Sequence, residues 1–229
     1  MSVAFWFTDC SLLSSPRSPF LPRLYFPLLL LVLDNKEAIK QFSLGEQKNW
    51  LICFVFVLRN CDIKLLLNWF KEETRTRQLS LLQVLPLVLE VFEYHPCAPH
   101  SQPKQVTKKN QLFGREIAWV VMDFLLDIFT NQLSLLQNDL AFLLQFLQIF
   151  QTLLRLNQPD EILSAVMQLM AQLLHTFSAQ IFREASVLDM VSKLMFELVR
   201  CCNFYSSSTR SEATALVLLL MRLNGKEVR

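Results

Sequence analysis

The chain has 229 residues, of which 52% are hydrophobic and 18% charged, and a net charge of +2. That length suits one large domain or two small ones, and the apolar content argues for a heavily buried structure and against disorder. Only three residues are glycine, which argues against an all-β fold and against a Gly-rich phosphate loop. The small net charge gives no reason to expect nucleic acid or an acidic membrane as a partner.

Residues 1–22 have no hydrophobic period, and three prolines crowd positions 16–22. This segment is expected to be poorly ordered, or to pack through Phe5, Trp6 and Phe7. Residues 24–33 (LYFPLLLLVL) form a short apolar helix with Pro27 near its first turn, where a missing donor is tolerated. A polar connector follows to Gly45, then a helix over about 46–59, and Asp62 caps another that ends near Phe70. The runs 24–33 and 50–58 contain ten and nine residues. A bilayer span needs about 20, so both read as buried helices, and no transmembrane segment is expected.

Residues 71–77 (KEETRTR) read as a solvated turn. From 78 to 94 the sequence is apolar almost all round: Leu79, Leu82, Leu85, Leu89 and Phe92 mark one face, and Pro86 is expected to kink the helix. Residues 95–110 hold three prolines and read as a flexible linker between a first helical part (23–94) and a second (111–224), with 225–229 as a tail.

In the second part, Ile117, Val120, Val121, Phe124, Leu125 and Ile128 form one helical stripe. Asn138 can cap a helix over 139–156, in which Leu140, Leu143, Leu144, Leu147, Phe150 and Leu154 face inward. Gln145, Gln148 and Gln151 make a solvent-facing row opposite them. Asn157 and Pro159 open the next helix, with Ile162, Val166, Leu169, Met170, Leu173 and Leu174 inward. Residues 178–184 read as a turn with one short helical turn at most. Ser186 with Asp189 reads as a capping box that leads Val187, Val191, Leu194, Met195 and Leu198 into the core. A second box, Thr209 with Glu212, starts a closing helix that Asn224 and Gly225 can stop. That helix is apolar on nearly every side, so it must either dock on the preceding pair or stay partly exposed and prone to self-association. The whole predicts an all-α fold of about eight helices, arranged as an irregular armadillo- or HEAT-like α-solenoid.

Reaction chemistry is sparse. Cys10, Cys53, Cys61, Cys97, Cys201 and Cys202 contain no CxxC pair and read as reduced thiols, mostly buried, of a cytoplasmic protein. His95, Cys97 and His100 share one stretch, but their spacing matches no standard zinc pattern, and His95 with Cys97 lacks a third, orienting group. His175 reads as a partner of a helix C-terminus. Glu72–Glu73 and Asp160–Glu161 fall at a turn and a helix start, where the helix dipole accounts for the second pair. No catalytic, cofactor-binding or metal site is assigned, and the chain is not read as an enzyme.

The closing stretch CCNFYSSSTRSEATALVLLLMRLN (201–224) resembles a segment of the dedicator-of-cytokinesis (DOCK) guanine-nucleotide exchange factors, particularly the zizimin and zizimin-related branches. RLYFPLLLLVLDN (23–35), LICFVFVLRNCDIKLLLNWF (51–70) and LVLEVFEY (87–94) are similar in the same order, so the likeness covers roughly 23–224. It implies a helical scaffold between the lipid-binding DHR-1 module and the entrance to DHR-2, the region that opens the nucleotide site of Rho-type GTPases such as Rac and Cdc42. No position here matches the nucleotide-sensor loop of DHR-2. The resemblance therefore implies a non-catalytic segment that works through protein partners; a fragment, a splice product or an imperfect gene model would account for both ends. An unrelated armadillo-like adaptor is the competing reading, and a cysteine- or metal-dependent enzyme built on His95 and Cys97 is the third.

Overall fold

The computed structural model describes residues 21–93 and 105–227. The expectations for residues 1–20, and those for His95, Cys97 and His100, lie outside the described residues. Among those described the fold is all-α: after a short 3-10 turn (Leu21–Leu24) come eleven α-helices and no strand. The chain divides into two compact units, residues 1–131 and 132–229.

The first unit holds α1 (Tyr25–Asp34), α2 (Lys36–Gln41), α3 (Leu44–Asn60), α4 (Ile63–Glu72), α5 (Arg75–Val91) and α6 (Gln105–Asn131). Its core is built by α1, α3, α5 and α6 packing on one another, with α4 laid on α6. Leu29, Leu51, Phe54, Leu81, Leu85 and Leu125 are fully buried there. Phe70 of α4 meets Phe124 of α6 edge to face, with ring centroids 6.3 Å apart. Ser43 and Glu46 form a capping box at the start of α3. Asp62 caps α4 as its sequence position predicts, accepting from the backbone N–H groups of Lys64 and Leu65 at 2.9 and 3.1 Å.

Several local expectations give way to tertiary contacts. The polar connector contains α2, which buries Ile39 and reaches α5 through Lys36, whose ammonium donates to Ser80 Oγ at 2.8 Å and to Gln83 Oε1. The corner between α4 and α5 shrinks to Glu73 and Thr74, and Arg77 closes it by pairing with Glu73 at 3.3 Å and Asp34 at 3.5 Å. Helix α5 runs unbroken through Pro86, and Pro86 leaves the Leu82 carbonyl without its usual donor. Helix α6 starts at Gln105, inside the stretch expected to be a linker. Because α6 packs on α3, α4 and α5, it belongs with the helices before it, and the division between units falls at Asn131 instead of in 95–110.

The second unit holds α7 (Leu133–Asn138), α8 (Leu140–Arg155), α9 (Asp160–Arg183), α10 (Ala185–Cys201) and α11 (Ser207–Glu227). Helix α9 touches α8, α10 and α11, and all six of its inward-assigned residues are buried. Residues 178–183 continue this helix past Phe177, whose φ of −116° and ψ of 19° mark a bend where a turn was expected. Asp139, not Asn138, caps α8, accepting from Ala141 N at 2.9 Å. Glu184 holds the N-cap position of α10, so Ser186 falls inside the first turn and Asp189 pairs with Lys193 at 2.6 Å instead of capping. The glutamine row is only partly in solvent: Gln148 is exposed, but Gln145 and Gln151 are half-buried.

Arg200 ties this unit together. Its guanidinium donates to the carbonyls of Leu154 and Arg155 at the end of α8, and to Glu197 Oε2 at 2.8 Å. It thereby satisfies two of the four carbonyls that a helix end leaves without an intrahelical donor.

Leu147→Ala and Leu173→Ala, both at fully buried sites, should each cost about 2–5 kcal/mol in urea unfolding, whereas exposed Gln148→Ala should stay within about 0.5 kcal/mol. Arg200→Met should cost about 2–3 kcal/mol, because it strips the end of α8 of donors and leaves the buried Glu197 carboxylate unpaired. A loss no larger than that of Gln148→Ala would show that Arg200 is incidental.

Candidate functional site

Two places concentrate polar side chains against packed helices. The first is the seam between α9 and α11. Helix α11 begins at Ser207, so Thr209 lies within its first turn and cannot be the N-cap residue. Ser206 Oγ accepts from Thr209 N at 3.4 Å in its place. Thr209 is buried, and its hydroxyl donates to Asp160 Oδ1 at 3.2 Å. Glu212 Oε1 accepts from Ser164 Oγ at 3.0 Å and from Ser208 Oγ at 3.3 Å. The two residues of the expected capping box thus reach across to α9. Arg210 donates to the carbonyls of Phe204 and Tyr205 at 2.9 and 2.8 Å and so fixes the loop before the helix.

Beyond this polar seam, α11 buries Ala213, Leu216, Leu220 and Leu223, and it packs on α9 and α10. Leu218 and Met221 remain 60% and 63% exposed, so the closing helix is both docked and partly uncovered. Helix α11 continues through Asn224 and Gly225 to Glu227, and no described residue has positive φ, so these two residues do not stop it.

The second place is a cleft of about 420 Å³ between the α3–α4 corner and α6. Glu116, Trp119, Asp123 and Asp127 of α6 line it at steps of three and four residues, which sets them on one helix face. Arg59 at the end of α3 pairs with Glu116 at 3.1 Å. Burial pushes the Asp123 carboxyl above the usual aspartate range, an effect the nearby Arg59 charge partly offsets. Burial also raises Asp127, and the negative charge of Asp123 adds to it. Sequence reasoning assigned this helix only its apolar stripe. The 116, 119, 123, 127 spacing was available as a signal, but the corner it faces was not.

The other sequence candidates stay apart. His175 is an exposed residue in the interior of α9. Glu72 is exposed at the end of α4, and Glu73 is held by Arg77. Asp160 and Glu161 open α9, with Asp160 engaged by Thr209. Among the described cysteines, burial raises the thiols of Cys53 and Cys61, and it pushes Cys201 up to about 11, which keeps them from the reactive thiolate form near neutrality. No group of three His, Cys, Asp or Glu side chains suited to a metal ion occurs among the described residues. Helix α9 is long and apolar enough to cross a membrane, yet 50% of its most apolar window is buried against the rest of the fold, as in a core helix.

No family profile matches the chain, and no solved structure does. Among curated proteins it is similar to Dedicator of cytokinesis protein 9 of Mus musculus, with 22% identity over 213 residues, and of Homo sapiens, with 21% over 213 residues. Each alignment covers 79% of this chain and 10% of the relative, so the chain spans about a tenth of the length of these proteins. The similarity is a distant one to the dedicator-of-cytokinesis proteins, joined here to an all-α fold.

Proposed function

We propose that the chain is a helical scaffold segment of a DOCK-type guanine-nucleotide exchange factor for Rho-family GTPases, of the zizimin or zizimin-related kind, ending at the approach to DHR-2. The observation that carries this reading is the alignment to Dedicator of cytokinesis protein 9 along 79% of the chain. Its role would be to hold neighbouring modules through protein contacts in the cytoplasm, with its helices stacked in the irregular armadillo- or HEAT-like manner. Two features support a scaffold role. Most large side chains are spent on a core, and the polar residues of the α9–α11 seam are spent on joining helices. Exposed Leu218 and Met221 would serve contacts with further helices or with a second copy.

The test has two arms. The purified chain should leave nucleotide release from Rac and Cdc42 at its intrinsic rate. Placed in Dedicator of cytokinesis protein 9 in exchange for the segment it aligns with, it should give a folded protein that retains exchange activity. Catalysed release by the isolated chain would overturn the non-catalytic assignment, and a chimera that is folded but inactive would overturn the scaffold assignment.

A further inference from the structure

A groove of about 200 Å³ runs along the seam of α9 and α11. Met167 and Ala171 of α9 line it together with Glu212, Ala215, Leu216 and Leu219 of α11. On α11, Glu212, Ala215, Leu219 and Arg222 recur at steps of three, four and three, the spacing of a coiled-coil seam. This stripe follows the border of the covered side of the helix: Glu212 and Leu219 are half-buried, and Ala215 and Arg222 are exposed. Its two charges are not fully used within the chain. Ser164 and Ser208 engage Glu212 Oε1, whereas Oε2 is buried with no hydrogen-bond partner. Arg222 has no ion-pair partner among the described residues. A carboxylate oxygen withdrawn from water without a donor is costly, and a guanidinium would supply that donor.

The order of the four residues selects the partner. Glu212 and Arg222 lie equally far on either side of Val217, and so do Ala215 and Leu219. A second α11 laid antiparallel, with its Val217 at the same level, therefore sets Arg222 against Glu212 and Leu219 against Ala215. Two-fold symmetry repeats both pairings in the opposite sense. Every layer then joins opposite charges, or a large side chain and a small one. A parallel copy would set Glu212 on Glu212 and Arg222 on Arg222, which repel. We propose that this groove receives the α11 helix of a second copy of the chain, antiparallel, in a two-fold contact closed by two Glu212–Arg222 pairs. Leu218, 60% exposed, borders the stripe and adds apolar area to the same contact. This pairing does not depend on the scaffold reading above: oligomeric state tests the one, and exchange activity tests the other.

Sedimentation equilibrium of the full chain is the test. The parent chain should show a reversible monomer–dimer equilibrium. Arg222→Glu should weaken dimerisation at least about tenfold, and Arg222→Lys, which keeps the charge but loses the planar fork, should weaken it less. Arg222 is exposed, so both variants should keep the parent's thermal melt by circular dichroism. Glu212→Arg alone should also dissociate the dimer. Mixed one to one with Arg222→Glu it should restore dimers, because every charged contact then joins opposite signs. If Glu212→Arg loses its fold, the Arg222 variants and Ala215→Trp, which fills the groove from an exposed position, decide the matter. A parent chain still monomeric at about 0.1 mM, a dimer indifferent to Arg222→Glu or to Ala215→Trp, or folded charge variants whose mixture stays monomeric would each overturn the proposal.

Discussion

The helices of this chain carry more apolar surface than a single neighbour can cover, and the rest of the structure follows from that constraint. Helix α8 is the clearest case. Phe142, Phe146, Ile149 and Leu153 are buried as completely as Leu143, Leu147, Phe150 and Leu154, so its apolar arc extends well beyond one stripe. It is satisfied only because α9 and α10 both pack on it, with α7 beside its start. Helix α9 solves the same problem with α8, α10 and α11 around it. Once two such helices are adjacent, short loops and caps decide little beyond where each helix stops.

Apolar period was the legible part of the sequence. The spacing of Ile162, Val166, Leu169, Met170, Leu173 and Leu174 named six residues that are all buried, and five of the six on the α6 stripe are buried, with Val120 at the edge. Ends were legible only where the cap is local, as at Asp62, whose carboxylate reaches two backbone donors within three residues. Thr209 and Glu212 have the right spacing for a local box, but Asp160 and Ser164, nearly fifty positions earlier, compete for them and win. The six-residue helices α2 and α7 are too short to display a period, and α2 lay inside a polar stretch. The break at Gln132 lacks glycine and proline, whereas 95–110 is rich in proline, which drew the expected boundary to that stretch.

The same contrast governs the candidate sites. Residues close in sequence, such as Glu72 and Glu73 or Asp160 and Glu161, end up with separate structural tasks. The cleft instead joins Arg59 to residues more than fifty positions later, and only the packing of α6 on α3 and α4 brings them together. What the chain offers a partner is therefore shape and charge on assembled helices. Burial raises the Cys53 and Cys61 thiols and holds Cys201 at about 11, so these three add nothing reactive near neutral pH.

Arg200 has one further consequence. It sits in the last turn of α10, but the carbonyls it serves belong to α8, and Glu197 and the Phe204 ring hold its guanidinium in place. Fraying of α10 from its C-terminal end would withdraw those donors and expose the final carbonyls of α8 to water. The two helix ends thus share a single local opening equilibrium, so hydrogen exchange in the closing turn of α8 should report on α10, a helix that begins thirty residues further along the chain.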